Sequence, residues 1–443
     1  MGKVLFCILF FCMYLICLFV LKKEHSNRLG IFFILIGIAI NIELNVYDEI
    51  YINLFASFIL IMVIAVSNYG LLLNSKRYGV VGARHANIKS FYIMLLPLMI
   101  ILINLIVQYM FIEIINLRLF FHQVLMFLMI LLMVVWFFIV SLNSNFAQNN
   151  SIIFNSILII SILNALLAIM QYIFNKSFLL SSPGESIDYF EGVRVVKRVW
   201  GFVGASNGAG NLGAILFAVL LYCFYKKRNV ITFSALLLNV IFVGLTLTRI
   251  AYFAVFIECL IFIFFIYGKN LNYKKLFMRL MMTIFIVVVT TISLYVFYDS
   301  AYELLISDRG ATGEHRFIQF KKVFEISKEN LLVGIGAGQY VYKAYSHYGF
   351  NDIVVHSQFL NTLVEQGLIS FLAHLFFYFY TFKLLMRKFK NEIWFPIILF
   401  VGNFITSNFN PNQYYDVSIL IYVFISLGLI FFENDYEKSE FKA

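Results

Sequence analysis

Proline is scarce, with 4 in 443 residues, and charge is thin, with Asp, Glu, Lys and Arg together making 13% of the chain. A soluble domain carries about 25% charged residues, so length that would accommodate two or three soluble domains cannot be spent on them here. The five cysteines, Cys7, Cys12, Cys17, Cys223 and Cys259, all lie inside apolar runs. None has metal-ligand spacing and none sits in a loop where a disulfide forms, so they read as core or lipid-facing filler. There is no Walker A string, no HExxH and no CxxC, which excludes a P-loop nucleotide site, a zincin and a thioredoxin-like redox pair. A carboxylate D-x-D near an outer loop would suit a metal-dependent transferase; Asp299 and Asp308 are the nearest acids and do not form one. No internal repeat, low-complexity tract or interdomain linker is present.

What the chain has is hydrocarbon. Apolar residues make up 62% and aromatics 19%, with 52 Phe and 27 Tyr. This is the composition of an all-α polytopic membrane protein whose main solvent is lipid. The formal charge of +10 is not a nucleic-acid signal, because no soluble basic domain exists to hold nucleic acid. Lys and Arg instead mark cytoplasmic loops and meet anionic lipid head groups.

A hydrocarbon core about 30 Å thick needs about 20 apolar residues per helix. Apolar runs fall near 4–21, 29–46, 51–73, 91–111, 119–142, 152–174, 208–225, 230–247, 250–268, 278–298, 359–385, 393–408 and 417–432, which predicts about 12–14 spans. The N-terminal run lacks a small-residue cleavage site and reads as a retained span. Gly2 is followed by Phe6 rather than Ser or Thr at the sixth position, so myristoylation is not supported.

Basic clusters at Lys22/Lys23/Arg28, Lys76/Arg77/Arg84/Lys89, Lys226/Lys227/Arg228, Lys269/Lys274/Lys275/Arg279 and Lys383/Arg387/Lys388/Lys390 are separated by even numbers of spans. All can share one side, which the positive-inside rule makes the cytoplasm. The C-terminal tail is then cytoplasmic, the N-terminus external. Two sizeable loops face outward, one at 175–207 and a large one at 299–358, within a single membrane domain over 1–443.

Those outer loops are not poor in cations. The first holds Lys176, Arg194, Lys197 and Arg198; the second holds Arg309, Arg316, Lys321, Lys322, Lys328 and Lys343; and Arg249 sits at the tip of the tight hairpin TLTRIAY. Long loops translocate regardless of charge, and nearby acids balance many of these bases. The arginines at the membrane boundary are different. Guanidinium nearly flush with hydrocarbon is costly without an anion, and its planar fork matches phosphate oxygens. A lipid-linked phosphate or diphosphate would supply that partner.

Arg198 precedes WGFVGASNGAGNLG, rich in small residues and holding Asn207 and Asn211. Such spacing serves close helix approach, and glycine also lets backbone N–H groups reach an anion at a helix start. In the large loop GEHRFIQFKKVFEIS predicts a basic amphipathic helix lying along the membrane, with Phe317, Phe320 and Phe324 on its apolar side. The following GIGAGQY, with Gly334, Gly336 and Gly338, reads as a tight turn. It is no dinucleotide fingerprint, because no βαβ context surrounds it. His356, in VVHSQFLNTLVEQGLIS, stands where the loop re-enters the membrane, with Asn361 and Glu365 at helical distance. His315 and His347 read as packing or surface residues. A neutral imidazole at 356 would take a proton from a sugar hydroxyl. Glu258, inside an apolar run, is either a functional carboxyl or a protonated group bonded to a neighbouring helix.

The order of these elements, RVWGFVGASNGAGNLG, TLTRIAYFA, EHRFIQFKKVFEISKENLLVGIGAGQY and HSQFLNTLVEQGLIS, resembles the O-antigen polymerase (Wzy type) and O-antigen ligase family over about residues 195–370. Thr248 stands where the family often has Ser before the hairpin arginine, and Ser357 where it often has Asn after the histidine. The resemblance implies an all-helical fold like the GT-C glycosyltransferases. It implies a donor glycan on undecaprenyl diphosphate in the outer leaflet, and a transfer to a sugar hydroxyl that releases the lipid diphosphate. By position, Arg198, Arg249 and Arg316 would hold the diphosphate and His356 would activate the acceptor. Asn207, Asn211 and Glu365 would be accessory, and no metal or cofactor is called for.

The first expectation is therefore a surface-polysaccharide polymerase in the bacterial cytoplasmic membrane, with a chain-length regulator and a flippase as implied partners. The alternatives are a ligase moving glycan to a lipid or protein, a polysaccharide flippase, and a membrane scaffold. A transporter is expected to show internal repeats, which this chain lacks, and a scaffold has no need of boundary arginines.

Overall fold

The computed structural model describes residues 82–141, 150–179, 184–191, 194–266, 312–349, 355–409 and 416–432, with short pieces at 44–47 and 50–52 and part of a helix within 31–38. The runs expected at 4–21 and 278–298 lie outside the described residues. So do most of 51–73, and Asp299, Asp308 and Arg309.

Besides the partial helix within 31–38, the described residues form eleven helices: α1 (Gly82–Phe111), α2 (Leu117–Ser141), α3 (Ser151–Phe174), α4 (Ser206–Lys227), α5 (Val230–Thr246), α6 (Arg249–Ile266), α7 (Thr312–Ser327), α8 (Tyr340–Tyr348), α9 (Gln358–Lys388), α10 (Trp394–Phe409) and α11 (Asp416–Phe431). Within α1–α4 and α9 lie five stretches long and apolar enough to cross a membrane, and α5, α10 and α11 are shorter apolar helices. The protein is an all-α polytopic membrane protein. Two antiparallel hairpins interrupt the helices: β1 (Leu44–Tyr47) with β2 (Ile50–Ile52), and β3 (Asp188–Glu191) with β4 (Arg194–Lys197). The first corrects the expected spans at 29–46 and 51–73, whose facing ends pair as strands instead of running on as helix.

Helix α4 is the centre and is buried along nearly its whole length. Its glycines let neighbours approach. A Cβ on Gly210 would stand 2.6 Å from Thr248 Cβ, and one on Gly213 would stand 2.5 Å from Val243 Cγ2. This is small-residue packing inside a bilayer. The α4–α5 and α5–α6 turns are tight because single residues take the left-handed conformation, Arg228 at φ 43° and Leu247 at φ 50°. Asn229 caps α5 by accepting from Thr232 N–H at 2.9 Å.

Helix directions follow from pairs across the bundle. Lys226 at the end of α4 meets Glu392 just before α10 at 2.5 Å, and Phe262 late in α6 lies 4.7 Å from Trp394 at the start of α10. Both α4 and α6 therefore run antiparallel to α10, and Arg249 at the start of α6 stands at the end where α10 finishes with Phe409.

Helix α9 is broken at Gly367 (φ 74°, ψ 177°). The loop holding the three expected glycines enters the break. Ile335 N–H donates to Val364 O at 3.0 Å, Gly336 N–H to Glu365 O at 2.9 Å, and Leu368 N–H to Leu331 O at 2.7 Å. A Cβ on Gly334 would come 2.4 Å from the Glu365 carbonyl oxygen, and Gly334, Gly336 and Gly338 all have positive φ. The segment is more than a tight turn, because it lends α9 the backbone partners that the break removes. Asn104 and Gln108 of α1 complete the repair, donating to Gln366 O at 2.7 Å and to Glu365 O at 2.7 Å. Irregular backbone is tolerated at membrane depth when protein satisfies it in this way.

Candidate functional site

Arg198 lies just after β4 and is 2% exposed, so it is no surface charge. Backbone bonds join its segment to the α5–α6 turn, with Val199 N–H donating to Leu245 O at 3.2 Å. Its Nε donates to Thr246 O at 3.0 Å, and Nη2 donates to Asn207 Oδ1 at 2.9 Å and to Thr248 Oγ1 at 3.3 Å. Tyr189 of β3 covers it, with the guanidinium carbon 4.8 Å from the ring centroid. Thr248, the residue expected as Ser from the family pattern, spends its own hydroxyl proton on Ser206 O at 2.9 Å.

Arg249 is the next residue and the first of α6. Its Nε and Nη2 are buried and have no hydrogen-bond partner among the described residues. Among the described residues this guanidinium lacks the acceptors that charge-bearing donors require. Arg198, Asn207, Thr248 and Arg249 thus form one cluster at one end of the bundle. Asn211 is buried one turn further along α4.

Two polar residues inside α3, which the sequence pattern did not single out, build the floor of this cluster. Gln171 Oε1 accepts from Trp200 N–H at 3.0 Å and Gly201 N–H at 2.9 Å, and its Nε2 donates to Ser177 O at 2.6 Å. Asn164 Oδ1 accepts from Phe202 N–H at 2.8 Å. The segment also spells Gly204-Ala205-Ser206-Asn207-Gly208, a G-x-S-x-G string. It is not a nucleophile elbow, because Ser206 opens a long buried helix several residues after β4 rather than a sharp strand-to-helix turn.

His356 is half-buried at the entrance to α9. Gln319 of α7 holds it: Oε1 accepts the His356 backbone N–H at 3.1 Å and lies 3.3 Å from Nδ1. Gln319 stands one turn after Arg316 on α7; the Arg316 side chain lies outside the described residues, as do those of His315 and Phe317. The buried side of α7 is Gln319, Val323 and Ile326, while Ile318 and Phe324 face outward. Phe320 is half-buried and Phe324 exposed, so the helix packs onto the body with a stripe adjacent to the expected apolar side.

Ser357 caps α9, its Oγ accepting from Leu360 N–H at 3.3 Å, and donates to Asn408 Oδ1 at 3.0 Å. Asn408 is at the end of α10, and that end is level with the start of α6. His356 and Arg249 therefore share one end of the bundle. Glu365 is spent on structure. Its Oε2 accepts from Gly338 N–H at 2.9 Å and Asn361 Nδ2 at 2.8 Å, and its Oε1 from Tyr340 N–H at 3.1 Å. His347 is exposed beside Ser346 and Glu113. Glu258 is fully buried and neither carboxyl oxygen has a hydrogen-bond partner among the described residues. Among the described residues no three His, Cys, Asp or Glu side chains converge as metal ligands.

Residues 232–375 match the family model described as O-antigen ligase (Wzy_C). The matched segment begins in α5 and ends within α9. It contains Arg249, Arg316, His356 and Glu365, while Arg198, Asn207 and Asn211 precede it. No curated protein matches the sequence.

Proposed function

We propose, from the match of residues 232–375 to the O-antigen ligase family model, that this chain is a polysaccharide polymerase joining undecaprenyl-diphosphate-linked repeat units. Glycan transfer of the ligase or polymerase type is what the family match supports in general; the donor, the direction of growth and the side of the membrane are this proposal's own. The observation that carries it is the pair of buried nitrogens on Arg249 that have no hydrogen-bond partner among the described residues, next in sequence to the turn that holds the buried Arg198 and at the same end of the bundle as His356.

Arg249 grips the diphosphate with its two unspent donors, a bidentate match that lysine cannot reproduce. Arg198, held by Thr246, Asn207 and Thr248, fixes the α5–α6 turn and adds its charge from behind. Arg316 adds a third cation from α7. The acceptor hydroxyl oxygen attacks the anomeric carbon, the bond to the diphosphate oxygen breaks, and the lipid diphosphate departs. His356 takes the hydroxyl proton. Cations fixed at a membrane edge stabilise the departing charge strongly, because the surroundings are poorly screening. No metal is needed for that step. The basic ends at Lys226–Arg228 and Arg387–Lys390 lie opposite the cluster, and by the positive-inside rule this supports the reading that the site faces outward from a bacterial cytoplasmic membrane. A flippase supplying the donor and a chain-length regulator are the partners this reaction implies.

A ligase is the second reading, favoured by the description of the matched family. It differs only in the acceptor. Purified protein in liposomes is given lipid-linked oligosaccharide and the products are separated by size. A ladder of lengths supports the polymerase, and a single addition to a foreign acceptor supports the ligase. Arg249→Lys is expected to lower yield at least ~10²-fold, the scale of losing one oriented donor at a developing anion. Full activity in Arg249→Lys removes the diphosphate grip.

A further inference from the structure

The β3–β4 hairpin has two faces with different tasks. Asp188 and Lys197 are paired across it and point toward the end of α3. Asp188 Oδ2 accepts from Asn175 Nδ2 at 2.9 Å and from Ser186 Oγ at 2.5 Å. Lys197 Nζ lies 5.7 Å from the Tyr172 ring centroid. Neighbouring positions on a strand point to opposite sides, so Tyr189 and Arg198 belong to the other face. There the Tyr189 ring lies over the Arg198 guanidinium at 4.8 Å and is still 47% exposed. One side of the hairpin is an anchor, and the other holds an aromatic ring still and leaves much of it open.

We propose that Tyr189 is the floor of a sugar subsite that receives the first sugar of the donor glycan. The inference rests on the diphosphate reading above. In such a donor the first sugar is bonded directly to the diphosphate, so the surface that recognises it must adjoin the arginine cluster. Tyr189 is in contact with that cluster through Arg198. The chemistry suits a pyranose. Its axial C–H bonds carry partial positive charge and pack on the electron-rich face of an aromatic ring, as ring edges do. A rigid ring on an anchored hairpin also loses little conformational freedom on binding. The competing role for an exposed tyrosine at a membrane boundary is an interfacial anchor among lipid head groups. That role is indifferent to glycan.

The test uses full-length purified protein and two probes, undecaprenyl diphosphate alone and the lipid-linked oligosaccharide extracted from cells deleted for this chain. Wild type is expected to bind both, the glycan-bearing lipid more tightly. Tyr189→Ala is expected to lose roughly 10-fold in affinity for the glycan-bearing lipid, the scale of one aromatic contact, and nothing for the bare lipid. Tyr189→Phe and Tyr189→Trp, which keep the ring, are expected to bind both probes as wild type does. Equal weakening of both probes by Tyr189→Ala overturns the subsite and leaves the ring as a support for Arg198. No weakening of either overturns it in favour of a lipid-interface role. Wild type that binds neither probe overturns the diphosphate reading itself, and the subsite with it.

Discussion

Glu258 of α6 occupies the notch that Gly402 leaves in α10: a Cβ on Gly402 would stand 1.7 Å from Glu258 Oε1. This side chain sets how closely α6 approaches α10. The same helix begins with Arg249, so its placement reaches the arginine cluster. Gly402→Ala is expected to lower the melting temperature of the purified protein, on the scale of about 1–3 kcal/mol for overpacking. Adding Glu258→Ala to that chain vacates the space and is expected to restore part of the loss, a coupling of about 0.5–3 kcal/mol. Additive effects would mean that the two positions do not meet.

The hairpin anchor carries an acid dependence. Hydrogen bonds from Ser186 and then Asn175, with Lys197 opposite, hold the Asp188 carboxyl below the usual carboxylate range. A carboxyl whose folded pKa is depressed contributes stability above its unfolded pKa, and that contribution disappears as pH falls through the folded value. The hairpin is therefore expected to be anchored at neutral pH and to loosen in acid. Hydrogen exchange of residues 188–197, corrected for the intrinsic pH dependence, would follow it. Asp188→Asn is expected to lower protection at neutral pH and to lose the acid step. Identical profiles for the two proteins would discard the anchor.

Much of this architecture is legible in the sequence, for a physical reason. Hydrocarbon demands one continuous apolar run per crossing, and helices α2–α6 and α9–α11 begin and end within three residues of those runs. The parts that were not legible depend on distant partners. Gln171 and Asn164 are single polar residues in an apolar helix, and their roles appear only when the loop of Trp200–Phe202 folds over them. Asn104 and Gln108 likewise serve a break in α9 more than two hundred residues away. Periodicity marked α7 as amphipathic but could not say which of two adjacent stripes meets the body. In the site, motif order pointed to the arginines and the histidine. It could not separate Arg198, whose Nε and Nη2 are engaged, from Arg249, whose Nε and Nη2 find no partner among the described residues.

Sidedness is open to chemical labelling. In a background without Cys7, Cys12, Cys17, Cys223 and Cys259, a single cysteine at Phe190 or Tyr345 is expected to react with an impermeant thiol reagent on intact cells. One at Lys76 or Lys388 is expected to react only after lysis, since the basic clusters put those positions inside. The reverse pattern would put the arginine cluster in the cytoplasm and exclude a donor held in the outer leaflet.

His356 supplies the last prediction, because its surroundings define both its state and its control. Gln319 Oε1 accepts the His356 backbone N–H and lies 3.3 Å from Nδ1. An oxygen there favours the proton on Nδ1, which leaves the lone pair on Nε2 to accept one. General-base assistance is worth about 10²–10⁴-fold, so His356→Ala is expected to cut transfer by that range. Binding of the lipid-linked donor should persist if, as proposed, the grip lies with the arginines. The acid limb of the wild-type pH profile reports the imidazole taking up its proton, and it should vanish in the residual activity of His356→Ala. Gln319→Ala tests the orientation: it should lower kcat more than it changes KM, by roughly 10-fold, the cost of about one hydrogen bond, while the acid limb survives. Ladder synthesis by His356→Ala at the wild-type rate would dismiss the histidine as base. An acid limb that persists in that variant would assign the titration to another group.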